Sequence, residues 1–290
     1  MAESNPTTAR QFHWRRLFQF RLRTLLILTT IIAAVFGWWS HKARQQREAV
    51  AALKKVGAEV LYDTSLPWTG KMARLKWPQW LLEHLDINYF ARVIQVKHHD
   101  QTFAAFGDSY LGKHFSDAEM QCLKNLTSTR YLLLDYTKVS DLSPLVNSTK
   151  MVTLGFSGTQ VSDLSSLVGM HGLEFLMLDR TQVCDLRPLA TLTKLYKLHL
   201  GGTPVSDLSP LTELTSLGEL YIQEMKVKNL SPLAKLHSLT RLDFSDTQVS
   251  DLSPLSGLTN LQVLFLRNTP VSNEQVTKLQ KALPNCKIER

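Results

Sequence analysis

Cysteine is scarce in this chain: Cys122, Cys184 and Cys286 are the three present. That set offers neither an even disulfide framework nor a paired metal motif, so small buried thiols are expected, with one leftover disulfide open. Cys184 takes a slot where neighbouring segments carry Ser140, Ser162 and Ser206. A nucleophile elbow, a phosphate-binding loop and a metal-ligand motif are also missing, so no enzyme, no cofactor and no metal are expected. His98, His99, Asp100 and His114 match no standard ligand spacing and read as part of a solvated loop.

Excess charge is missing from most of the chain as well. Residues 1–60 carry ten Lys/Arg against three Asp/Glu, whereas residues 61–290 carry 23 against 22. The net charge of +8 therefore belongs almost wholly to the amino-terminal segment. A nucleic-acid interface would need clustered basic residues on the reading surface, so no nucleic-acid partner is expected.

That basic segment surrounds an apolar run, Thr24 to Trp39, which carries no charge. With its flanks it reaches roughly 19 residues, close to the ~20 that span a bilayer core. Arg21 and Arg23 suit one boundary and Trp38 with Trp39 the other. The organisation expected is a basic cytoplasmic tail (1–23), a transmembrane helix (24–40) and a juxtamembrane helix (41–57) ending at Gly57. A cap with a first irregular repeat (58–128), repeats of 22 residues (129–270) and a carboxy-terminal cap (271–290) follow. Five upstream arginines against Lys42, Arg44 and Arg47 orient the amino terminus to the cytoplasm and the repeats outside a bacterial cytoplasmic membrane. A cleaved signal is the alternative, but Gly37-Trp38-Trp39-Ser40-His41 has no small-residue cleavage site.

Within the cap, Ala58–Tyr62 and Arg92–Lys97 read as strands, with Ile94 and Val96 inward, and Trp80–Leu85 as a short helix. Trp68, Trp77 and Trp80 read as packing residues.

From Thr129 onward a unit of 22 residues recurs, marked by Thr137, Thr159, Thr181, Thr203, Met225, Thr247 and Thr269. In each copy two apolar residues flank a single one, as in Leu132/Leu134 and Leu198/Leu200, which suits a short strand with one face inward. Asp141, Asp163, Asp185, Asp207 and Asp251 each precede Leu-x-x-Leu, most often with Pro inside it. A carboxylate accepting the free amides of a short helical turn explains that choice. No unit buries enough of its apolar surface alone, so layers must stack with special units at the ends. Ser116-x-x-Glu119 and Ser272-x-x-Gln275 open the helices that flank the tighter repeats.

The run LxxLxLxxTxVSDLSPLxxLT resembles the bacterial 22-residue leucine-rich repeat of the internalin type, with Thr in the usual Asn slot, over about 60 % of the chain. The resemblance implies an α/β repeat solenoid, a right-handed horseshoe with a parallel concave sheet and short 3-10 turns on the convex side. Its common use is protein recognition.

Comparing the copies separates inside from outside. The central strand residue is Leu in all seven, and Val follows the Thr slot each time. The outward positions vary: Tyr131, Thr153, Phe175, Lys197, Glu219, Arg241 and Val263 before that Leu, and Leu133, Gly155, Met177, His199, Tyr221, Asp243 and Phe265 after it. With strands about 4.8 Å apart they tile a concave face roughly 35 Å long. One half is apolar (Tyr131, Leu133, Tyr136, Phe175, Met177). The other mixes charge with rings (Lys197, His199, Glu219, Tyr221, Arg241, Asp243, Phe265). An apolar patch beside polar residues suits a protein partner. Drift on an unused face, in a structural envelope protein, is one alternative, and a secreted effector another. His199 and Asp243 fall two strands apart, too far for a catalytic hydrogen bond. The copy with Met225, Lys226, Lys228 and Asn229 departs from its neighbours, through divergence or as a docking spot for an acidic partner.

Overall fold

A computed structural model describes residues 22–55, 58–63, 92–98 and 115–290. The chain divides into two units, Met1–Arg44 and Gln45–Arg290.

In the first unit the described part is helical. It belongs to α1 (Leu22–Lys55). Its apolar side chains lie open: Ile27, Leu28, Ile31, Ile32, Val35, Phe36 and Trp38 are each 53–59 % exposed. The Thr30 and Ser40 hydroxyls donate to the carbonyls of Ile27 and Gly37, so neither is an unpaired polar group on that surface. Lys42 holds its ammonium 4.5 Å from the Trp38 ring.

Among the described residues no helix is long and apolar enough to cross a membrane. The expected transmembrane helix over 24–40 therefore lacks support as a complete span. From Ile27 the uncharged stretch lasts only until His41 and Lys42, about 21 Å of helix at 1.5 Å per residue against a ~30 Å hydrocarbon core. The side chains of Thr24–Leu26 and Trp39, which would lengthen it, lie outside the described ones.

In the second unit the last turns of α1 bury Ala49, Val50 and Leu53 in the core that the repeats share. Strands β1 (Ala58–Asp63) and β2 (Arg92–His98) pair antiparallel, an arrangement the repeat pattern alone does not suggest. From β2 onward the sheet is parallel. It continues through β3 (Tyr131–Leu133), β4 (Thr153–Gly155), β5 (Phe175–Met177), β6 (Lys197–His199), β7 (Glu219–Tyr221), β8 (Arg241–Asp243), β9 (Val263–Phe265) and β10 (Lys287–Glu289), neighbours in space in the order of sequence. Helix α2 (Asp117–Leu123) precedes β3, and α3 (Asn273–Ala282) separates β9 from β10. The expected Trp80–Leu85 helix, with Trp68 and Trp77, lies outside the described residues. Val96 is in register with Leu132, while the side chains of β1 and β2 are not described.

Stacking is in strict register: Leu132, Leu154, Leu176, Leu198, Leu220, Leu242 and Leu264 pair in turn, and each is completely buried. Bonding between layers outlasts the three-residue strands. The amide of Leu178 donates to the His199 carbonyl at 2.9 Å and that of Arg180 to the Gly201 carbonyl at 2.7 Å, a pattern repeated from layer to layer. Those second donors sit in the left-handed region, at Tyr136, Gly158, Arg180, Gly202, Glu224 and Asp246, and Asn268 in the last copy shares the conformation. A non-glycine residue there costs roughly 1–2 kcal/mol, so four copies accept strain to keep the interlayer bond.

The next residue is the Thr slot, where each Thr hydroxyl, as in Thr181, donates to the carbonyl three residues back. Met225 fills the same slot and is 2 % exposed, so the odd copy has exchanged a buried hydroxyl for a thioether. Asn229 keeps its side-chain oxygen on the Ser231 amide at 2.9 Å, as the aspartates do elsewhere. Both changes read as divergence within the frame.

The capping carboxylates behave as expected. Asp141, Asp163, Asp185, Asp207 and Asp251 accept from the first amides of the 3-10 turns Ser143–Leu145, Ser165–Leu167, Arg187–Leu189, Ser209–Leu211 and Ser253–Leu255. Glu119 accepts the Ser116 amide at 2.8 Å, completing one box. The other is half formed: Ser272 accepts from the Gln275 amide, but the Gln275 side chain reaches back a layer to the Leu252 amide. Cys184 corrects the expectation of buried thiols, since it is exposed; Cys286 is buried and Cys122 half-buried, and all three are free.

Candidate functional site

Every strand offers one outward side chain on each side of its buried Leu, and the sheet sets them about 4.8 Å from their neighbours. Most of the twelve residues proposed for this face are half-buried by flanking side chains; Tyr136 and Arg241 are exposed.

In the first layers two of the expected residues, Phe175 and Tyr131, make ring contacts with neighbours. Phe175 meets Tyr196 edge-on with ring centroids 6.2 Å apart, and Arg130 lies 5.9 Å over the Tyr131 ring. Glycines let these side chains lie flat. A Cβ at Gly155 would strike Leu133 and Asp135, and one at Gly158 would strike the Tyr136 ring. Leu133 thus leans over Gly155, the neighbour of Met177 in register, while Tyr136 lies over Gly158 beyond the end of β4 and stays 66 % exposed.

In the later layers the charges pair with one another. The Lys197 ammonium lies 2.9 Å from Glu219, which also accepts from the Tyr221 hydroxyl at 3.0 Å. Burial pushes the Glu219 carboxyl up, but the Lys197 and Tyr221 hydrogen bonds, with Arg241 nearby, outweigh it and leave it below its ordinary value. Burial raises the Tyr221 hydroxyl, Glu219 adding to the rise and Arg241 opposing it. His199 stacks on Tyr221 at 4.2 Å. Asp243 accepts the Ser245 amide at 2.9 Å, and Phe265 is half-buried beside it.

As expected, His199 and Asp243 are separated by Tyr221 in register. The imidazole nevertheless has a carboxylate partner: Nδ1 lies 3.2 Å from Asp179. Asp179 belongs to a third outward column, Asp135, Ser157, Asp179, Gly201, Gln223, Ser245 and Arg267, which the two-column reading omits. Its signal was available, because strand alternation continues one step past the second apolar residue and the interlayer hydrogen bonds continue with it. Members of this column brace the next layer: Asp135 accepts the Ser157 amide at 2.7 Å and Asp179 the Gly201 amide at 2.9 Å. Tyr196, 41 % exposed, was also missed.

Among the described residues no three His, Cys, Asp or Glu gather as a metal site. His99, Asp100 and His114 lie outside those residues, and of His98 only the backbone at the end of β2 is described.

Residues 237–281 match the family model for leucine-rich repeats, two copies. The fold is similar to internalin C2 of Listeria monocytogenes, at 29 % identity and a TM-score of 0.56 over 68 % of this chain and 80 % of that one. A leucine-rich repeat protein of Leptospira interrogans shares the fold at 23 % identity and a TM-score of 0.56, over 59 % of this chain and 45 % of that one. An internalin F of Listeria monocytogenes aligns at 33 % identity over 58 % of this chain and 63 % of that one, with a TM-score of 0.43. No curated protein sequence matches the chain significantly. The chain carries leucine-rich repeats in a solenoid similar to those of Listeria internalins.

Proposed function

We propose that this protein displays its repeats on the outer side of a bacterial cytoplasmic membrane and binds another protein through the concave face. One observation carries the binding reading. The inward rows repeat almost without change, while Tyr131, Leu133, Tyr136, Phe175 and Met177 collect apolar and aromatic surface on the outward side of the same strands. Large, stiff rings beside polar groups are what protein interfaces favour.

The anchor reading is favoured by the exposed apolar side chains from Ile27 to Trp38. A helix apolar on all sides and open to water is costly, and lipid is the solvent that suits it. In the sequence Thr24, Leu25 and Leu26 continue the uncharged run as far as Arg23.

Capture of partners by the full chain in detergent, compared between wild type and Phe175→Asp, tests the binding reading. Loss of a saturable partner without a change in the melting transition is expected, and identical capture sinks it. Alkaline extraction of membranes tests the anchor, the chain being expected in the pellet. A mature chain that starts near residue 40 would establish the secreted alternative instead.

A further inference from the structure

At the centre of the concave face two buried atoms find no hydrogen-bond partner among the described residues: His199 Nε2 and Gln223 Oε1. They lie diagonally across neighbouring strands, since His199 pairs with Tyr221 and Gln223 follows Tyr221 by two residues. Beside them Asp179 accepts from the Gly201 amide at 2.9 Å and from the Ser157 hydroxyl at 3.4 Å, and its carboxylate lies 3.2 Å from His199 Nδ1. An imidazole whose Nδ1–H faces a carboxylate carries a lone pair at Nε2 when neutral. Two acceptors without donors thus border a carboxylate.

Gly201 explains how they come together. A Cβ there would collide with the Gln223 amide nitrogen and with Asp179 Oδ1, which would lie 2.9 Å away. The missing side chain leaves a slot floored by Gly201, with Asp179 on one side and Gln223 on the other, in the column next to the stacked His199 and Tyr221 rings. The amide of Gln223 lies in it, its nitrogen turned toward the glycine. Around the slot the carboxy-terminal rim of the strands carries Asp179, Asp243 and Asp246, while Glu224 lies 3.9 Å from Arg180 and Arg267 stands in the same column as Asp179. Lys197 is already neutralised by Glu219.

We propose that this slot receives a guanidinium group of the partner protein and that the Gln223 amide is the plug it displaces. The inference rests on the concave-face reading above and names the partner's chemistry. A guanidinium is planar and carries donors on several edges, so it meets Asp179 and His199 Nε2 together once the Gln223 amide has turned out, where an ammonium serves one direction at a time. In the free protein the amide nitrogen of Gln223 stands where such a donor would sit, at the expense of its own oxygen. Rotation of that flexible side chain opens the slot without movement of the sheet.

The test is a titration of the full chain in detergent micelles, followed by NMR at the Gly201 amide and the Gln223 side-chain amide. The probes are N-acetyl-arginine amide and its neutral, similarly shaped counterpart N-acetyl-citrulline amide. Saturable shifts are expected with arginine at a dissociation constant on the order of 10 mM, and at least tenfold weaker binding with citrulline. Gly201→Ala fills the slot and is expected to abolish the shifts; Gln223→Ala removes the plug and is expected to bind arginine at least as tightly as wild type. Absence of a saturable shift, equal response to citrulline, survival of binding in Gly201→Ala or its loss in Gln223→Ala overturns the proposal. A negative titration beside Phe175-dependent partner capture overturns the slot alone. A positive titration without such capture overturns the apolar docking surface and leaves the slot.

Discussion

Layers β3–β5 and β6–β8 share one backbone plan and one buried row, yet their outward faces are built on opposite principles. In the first set, small residues at Thr153, Gly155 and Gly158 let large apolar side chains spread flat and stay uncompensated. In the second, nearly every polar group is answered by another: Lys197 by Glu219, His199 by Asp179, Asp243 by the Ser245 amide. Frame and surface are therefore separable in this protein, and it is chiefly the surface that differs between the halves.

The strongest way to break that separation is to attack the frame where it passes under the charged half. Leu198→Asp buries an unpaired charge and is expected to cost about 4 kcal/mol or more, unfolding the central layers in urea melts. If Phe175→Asp, on the outer side of the neighbouring strand, destabilised the fold equally, inside and outside would not be distinct. A smaller effect is expected at the turns, where Asp163→Ala should cost about 1 kcal/mol through loss of the cap on Ser165, and Asp163→Asn much less. Asn229 already fills that role in its own layer. The smallest effect belongs to the charged surface itself. A double-mutant cycle between Lys197 and Glu219 is expected to give about 0.2–1 kcal/mol of coupling, decreasing with salt.

Acid sharpens the contrast in another way. Hydrogen bonds from Ser253 hold the Asp251 carboxyl below its ordinary value, and those from Ser209 do so at Asp207; at Asp117, burial raises the carboxyl, but the Asp141 and Ser140 donors outweigh it. Groups depressed on folding stabilise the native state above their unfolded pKa, and this stabilisation is lost as pH falls through the folded value. Thermal melts should therefore hold steady from neutrality to about pH 5 and decline below about pH 4. An unchanged melting temperature at pH 3 would count against the caps.

The rows of buried Leu and Val, the capping aspartates and the six 3-10 turns were legible because each recurs at the same offset in the 22-residue unit. What was not legible falls where that recurrence stops or where a contact crosses between units. Strand β10 follows Pro284 and breaks the period, yet it forms because the edge of β9 is open to it. The antiparallel β1 belongs to no repeat. Asp179 and Gln223 were passed over because their importance comes from the glycine opposite them, a property of the stacked pair and not of either copy. Gln275 shows the same limit, its side chain leaving its own helix for the Leu252 amide.

The left-handed residue before each Thr also sets a rule for growth. Its amide hands one hydrogen bond to the following layer and to no other, so each layer is a connector with one incoming and one outgoing fitting. Duplicating a full 22-residue segment, such as 173–194, inserts a new coil whose fittings match on both sides. The lengthened protein should keep its urea midpoint or raise it. Duplicating one residue fewer leaves a coil out of step, with donors facing apolar side chains, and should divide the solenoid at the splice.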